Sequence, residues 1–166
     1  FSQYFKLAYS YFQIDSLVSA KHFFSKLLLV ESEYQSASKY YFAHISYKSK
    51  NYQTALKWFK QAANLGSSTA QYNLGLMHLY GHEVFKSYIN AYEWFKKSAN
   101  QNDDNAQYEL AKLYFDGKGV TKDLKIAKEW ATKSEGQGNS AAKVLLNKII
   151  HLYLFIKVQK NWVDKL

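Results

Sequence analysis

The chain has 166 residues, 48% hydrophobic and 18% aromatic, enough apolar surface to bury a core. It carries a net charge of +9 from 22 lysines and no arginine, which removes the planar bidentate contacts favoured for phosphates and base edges. It has no cysteine, which excludes disulfides and thiolate chemistry and leaves the compartment open, and no proline, which suits a nearly continuous run of helices.

Taken in chain order, the first helical pattern runs through Leu7-Ala8 and Tyr11, turns over Gln13 to Ser16, and re-enters a helix at Ala20 with Phe23 and Phe24. The second runs through Phe42-Ala43, turns compactly over Lys48 to Asn51, and continues at Ala55 with Trp58 and Phe59. The third pairs Leu74-Gly75 and His78 with Ala91, Trp94 and Phe95 across a longer turn at Tyr80 to Val84. The fourth pairs Leu110-Ala111 and Tyr114 with Ala127 and Trp130 across Asp116 to Val120. Ala20, Ala55, Ala91 and Ala127 recur at spacings of 35, 36 and 36 residues. A steady period of this length predicts stacked helical hairpins. Residues three or four apart share a helix face, so the small residue admits a neighbouring helix and the ring that follows fills the space beside it.

The last pattern, 142–166, is apolar on two stripes: Leu145, Ile149, Leu152 and Ile156, then Leu146, Ile150, Leu154 and Val158. Asn147, Lys148, His151 and Lys157 interrupt it, and it falls short of the roughly 20 apolar residues a membrane span needs. It reads as a helix that caps the array, or as a partner-binding or self-associating face. Phe1 stands inside a helical pattern with no initiator methionine, so the sequence reads as a piece of something longer.

No catalytic constellation is present. His78 and His82 are four apart, as in a two-histidine zinc site, but no glutamate follows the first as in His-Glu-x-x-His, and Gly81 ends the helix before His82. No metal site and no cofactor are expected. Ser36-Ala37-Ser38-Lys39 and Ser140-Ala141-Ala142-Lys143 match Ser-x-x-Lys without its companion motifs, and Gly117-Lys118-Gly119 lacks the strand and third glycine of a nucleotide loop.

Gln71-Tyr72-Asn73-Leu74-Gly75 through Trp94, and Ala106-Gln107-Tyr108-Glu109-Leu110 through Gly117-Lys118-Gly119-Val120, Asp123, Ala127 and Trp130, resemble Sel1-like repeats. Residues 1–69 are more similar to tetratricopeptide repeats, with their shorter turn and Tyr52 just ahead of Ala55. The third unit departs from the Sel1 pattern at His82-Glu83 and at Phe85 to Ser87. The resemblance implies an all-α, right-handed α-solenoid of about four helix-turn-helix repeats plus a C-terminal helix. The expected layout is one domain, with tetratricopeptide-like units at 1–35 and 36–69, Sel1-like units at 70–105 and 106–141, and the closing helix at 142–166. The cysteine pairs that staple some bacterial Sel1-like proteins have no counterpart here.

The same resemblance implies a non-enzymatic bacterial adaptor whose first helices line a concave groove. Its columns here would be Phe5, Tyr40, Tyr72 and Tyr108; Tyr9, His44, Leu76 and Lys112; and Phe12, Tyr47, Leu79 and Phe115. Rigid rings with polar tips make good anchors for a protein segment. The lysine and asparagine clamps with which some such domains grip a terminal carboxylate are absent from these columns. The alternative is electrostatic: residues 35–69 carry five lysines and no acid, and 118–166 carry ten lysines against four acids, so a polyanion (nucleic acid or an acidic polysaccharide) could bind there. With lysine alone as the cation, nucleic acid is the less favoured partner.

Overall fold

A computed structural model describes the backbone of residues 2–163 and the side chains of residues 2–159. Nine α-helices and no strand occur among the described residues: α1 (Ser2–Gln13), α2 (Leu17–Ser25), α3 (Gln35–Lys48), α4 (Tyr52–Asn64), α5 (Ser68–Tyr80), α6 (Tyr88–Ala99), α7 (Asp104–Asp116), α8 (Leu124–Gly136) and α9 (Ser140–Val163). This is the all-α, helix-turn-helix architecture of the α-solenoid class that the period implies. The helices fall into two compact units, Phe1–Lys86 with α1 to α5 and Ser87–Leu166 with α6 to α9.

Local chemistry sets the helix boundaries. The first turn of a helix leaves backbone N–H groups without partners, and short polar side chains just ahead of it accept from them. Asn51 accepts from the Thr54 N–H at 3.1 Å, Ser67 from Ala70 at 3.2 Å, Ser87 from Asn90 at 3.1 Å and Asp103 from Ala106 at 2.9 Å. Asp123 accepts from both Lys125 and Ile126, and Asn139 accepts from Ala142 at 3.1 Å. The two longer turns begin at a glycine in the left-handed region, Gly81 and Gly117, whose N–H groups bond back to Met77 and Leu113. A residue with positive φ cannot continue the helix, so α5 stops before His82.

The alanine column lies at the core. Ala20, Ala55, Ala91 and Ala127 are all fully buried, as are Phe24, Phe59 and Phe95 four residues after the first three. Two glutamines complete the packing from the inside. Gln71 donates to the Ala63 carbonyl and Gln107 to the Ala99 carbonyl, each at 3.3 Å, a second bond on oxygens that already accept the Gly66 and Asn102 N–H groups of the turns, so each glutamine ties its helix to the end of the preceding one. The first hairpin is the irregular one. α2 has only nine residues and is followed by a non-helical stretch in which Leu27 and Leu28 are buried and Leu29 is exposed.

The closing helix divides along its length. Ala142, Leu145 and Ile149 are buried against α7 and α8, with Ala111, Ala127 and Ala131. Leu154, Phe155, Ile156 and Val158 are exposed, so the two apolar stripes pack at their start and face solvent further on. Residues 164–166 of this segment lie outside the described residues. No helix among the described residues is long and apolar enough to cross a membrane.

Candidate functional site

The twelve side chains of the three columns lie on the first helices, three each on α1, α3, α5 and α7, and every one is half-buried. Nine belong to the first unit and three to the second. In the first unit the rings of α1 and α3 form a connected layer. Phe5 stacks on Tyr34 at 4.7 Å and lies edge-on to Phe24 at 5.9 Å, Tyr9 stacks on Phe12, and Phe12 is edge-on to His44 at 5.8 Å. Tyr40 leans on His44 and on the buried Phe59. Ring contacts at these separations restrict the freedom of the side chains that make them.

The centre of this layer is a residue the column pattern omits. Tyr41 touches Phe5, Tyr9, Phe12, Phe24 and Tyr40, with centroids 5.0 to 6.3 Å away. Burial, and then the neighbouring Tyr9 and Tyr40, push its phenol up to about 12, so it stays protonated. Two tyrosines in succession give the spacing pattern no means of ranking them.

Tyr47 leads to a second cluster. Its hydroxyl hydrogen-bonds His82 Nδ1 at 2.8 Å, and the His82 ring stacks on Tyr52 at 4.5 Å, with Tyr80 beside it at 5.8 Å. His82 therefore belongs to an aromatic box, and among the described residues no group of three or more histidine, cysteine, aspartate or glutamate side chains could hold a metal. Desolvation, and then Tyr52 and Tyr80, raise the Tyr47 phenol above its ordinary 10.0.

In the second unit, Tyr108 and Phe115 pack with Tyr114, Trp130 and Leu146 around Ala111, Ala127, Ala131, Leu145 and Ile149. Lys112 bonds Glu109 at 2.8 Å and lies 5.1 Å above the Tyr108 ring, so its charge is engaged within its own helix. Tyr114 donates to, or accepts from, the Tyr92 hydroxyl at 3.1 Å, and burial with that bond pushes it up to about 12.

Two half-buried histidines of the first unit, His44 in the columns and His78 beside them, are expected to make the stability of that unit depend on pH. Burial, and then Lys48, hold the His44 imidazole below its ordinary 6.5. For His78, burial outweighs the bond to the Phe85 backbone that favours its charged form, and Lys60 acts with burial. The Nδ1 atoms of both are buried without a hydrogen bond. The folded chain thus binds these protons less tightly than the unfolded chain, and stability rises with pH across the interval between the folded values and 6.5. The urea midpoint of the first unit is expected to hold above about pH 6.5 and to fall on acidification toward about pH 5, with His44→Gln and His78→Gln flattening the change. Asp103, raised by burial, acts in the opposite sense but from the lower carboxylate range. A midpoint that rose on acidification to about pH 5 would contradict this reading.

The Sel1 repeat family matches residues 30–67, 68–103 and 104–139, more than half of the chain. The match takes in the second hairpin, whose short turn resembles a tetratricopeptide repeat, and leaves out the irregular first one. No curated protein matches the sequence. Among solved structures, c5321, a protective antigen present in uropathogenic Escherichia coli strains displaying an SLR fold, is similar, with 30% identity and a TM-score of 0.75. That similarity covers 84% of this chain and 31% of that one, so the chain spans less than a third of its length. A Sel1 repeat protein from Oxalobacter formigenes is 27% identical over 82% of this chain and 98% of that chain, with a TM-score of 0.64. Helicobacter pylori cysteine rich protein B, at 24% identity, a TM-score of 0.62 and coverage of 79% of this chain and 95% of that one, shares the fold. Sel1 repeats serve as scaffolds for protein–protein interaction and are typically non-enzymatic. With three successive matches and helical hairpins in the same register, the chain belongs to the Sel1 repeat family.

Proposed function

We propose that the chain is a non-enzymatic bacterial scaffold that holds an extended or helical segment of a partner protein on the aromatic face of its first helices. In the first unit that face is Phe5, Tyr9, Phe12, Tyr40, His44, Tyr47, Tyr72, Leu76 and Leu79, and in the second it is Tyr108, Lys112 and Phe115. The observation that carries the reading is the uniform half-burial of these twelve residues: each is anchored by packing on one side and leaves the rest of its surface accessible. Such preorganised rings are the side chains that dominate binding energy at interfaces. Tyr41 belongs to the same face as the residue that fixes its neighbours. The exposed end of α9, with Leu154, Phe155 and Ile156, offers a second contact suited to another copy of the chain.

The test is replacement of Tyr40, Tyr72 and Tyr108 by alanine, with helicity followed by circular dichroism. Each hot-spot ring contributes about 2 kcal/mol or more, so a triple variant of unchanged helicity is expected to lose about 6 kcal/mol, weakening partner binding by about four orders of magnitude. Unchanged affinity would remove the aromatic face from the mechanism.

A further inference from the structure

A cleft in the second unit lies outside the aromatic face. It has a volume of about 530 Å³ and is walled by the turn after α6, the start of α7 and the C-terminal half of α8. Its size falls within the range of roughly 300–1,000 Å³ common for ligand sites. Its lining is chemically selective: three exposed side-chain amides, Asn100, Asn102 and Gln137, the indole of Trp130, one ammonium at Lys133, and no carboxylate.

The floor is Gln107, which is 1% exposed. Its amide nitrogen donates to the Ala99 carbonyl at 3.3 Å, and its carbonyl accepts from Gln137 at 2.8 Å. Gln107 therefore orients Gln137, leaving the Gln137 carbonyl able to accept an N–H from a ligand. The Lys133 ammonium sits 4.4 Å from the centre of the Trp130 ring, which holds a flexible cation in place at the wall of the cleft. Asp104, at the start of α7, is bonded to Asn139 at 3.0 Å.

We propose that this cleft is a second binding site, for a short acidic peptide segment, independent of the aromatic face. Side-chain amides match the donor and acceptor pair of a peptide bond, so Asn100, Asn102 and Gln137 bind the segment's backbone. The indole covers an adjacent side chain, and Lys133 pairs with one aspartate or glutamate through a charge-assisted hydrogen bond. A single cation favours a single carboxylate over a phosphate chain, and a chain with net charge +9 attracts an acidic segment over long range.

The experiment probes the whole chain with an array of short peptides containing aspartate or glutamate, alongside the same peptides with asparagine or glutamine in place of the acid. The expected result is retention of the acidic set over the amide set, with affinity lowered about tenfold or more by Lys133→Met, restored by Lys133→Arg, and weakened by Trp130→Phe in a chain of unchanged helicity. Tyr40→Ala should leave this binding intact, which separates failure here from failure of the aromatic face. Equal retention of acidic and amide peptides would overturn the proposal, as would acidic-peptide binding that survives Lys133→Met. So would binding of glucuronate that depends on Lys133 when no peptide binds, since that outcome assigns the cleft to an acidic sugar.

Discussion

Replacing Phe59 by alanine is expected to cost about 3–5 kcal/mol of folding stability, as expected for removing a whole ring from a close-packed interior. Phe59 is fully buried on α4, with Tyr40 at 6.1 Å and Tyr47 at 6.4 Å from its ring centre. Its loss leaves a cavity beneath two rings of the candidate binding face, so the substitution should reduce stability and partner affinity together. Phe85→Ala is the matched control, because that ring is 96% exposed and its removal should shift stability by no more than about 0.5 kcal/mol. Urea unfolding of the two variants measures both effects. A loss below about 1 kcal/mol at Phe59 would mean that the second-helix aromatics do not carry the core.

The second large effect is expected at Gly119, in the turn between α7 and α8. Its φ is +72°, and a Cβ there would lie 2.5 Å from the Tyr88 carbonyl carbon and 2.6 Å from its oxygen. The obstacle is backbone, so no side chain can swing away to relieve it. Left-handed geometry costs a side-chain-bearing residue about 1–2 kcal/mol, and overpacking adds about 1–3 kcal/mol. Gly119→Ala should therefore destabilise the chain by about 3 kcal/mol. Gly138 separates the two contributions: its φ is +92°, but no atom lies within 4 Å of the place its Cβ would take, so Gly138→Ala should show the backbone cost alone. Equal losses at the two positions, measured by urea unfolding, would show that the turn does not pack on Tyr88.

Much of the fold is legible in the sequence because it is written as a period. Ala20, Ala55, Ala91 and Ala127 mark the close contacts, and the turns at Gln13 to Ser16, Lys48 to Asn51, Tyr80 to Val84 and Asp116 to Val120 all fall where the helices end. The link from α2 to α3 is less legible, since no glycine and no feature of the repeat marks where α2 ends, and Leu27 and Leu28 are buried in an irregular segment. The column pattern names Tyr40 and passes over Tyr41, because adjacent residues differ by about 100° around a helix and only the packed structure shows which way the central ring turns. His82 carries no sequence signal for its bond to Tyr47, 35 residues away. The cleft beside Trp130 is equally hidden. Gln107 recurs with Gln71 as a packing residue, and nothing in the spacing joins it to Gln137.

Whether the aromatic face holds a segment of another protein is decided by a cross-linked pull-down from the native cell at low and high salt. It is run in parallel with the chain and with the variant carrying alanine at positions 40, 72 and 108. A short set of proteins should be retained by the unaltered chain at high salt and lost from the variant, because apolar ring contacts are not screened by ions. Recovery of nucleic acid or polysaccharide alone, released as salt rises, would refute the aromatic face as the binding surface and assign binding to the lysines.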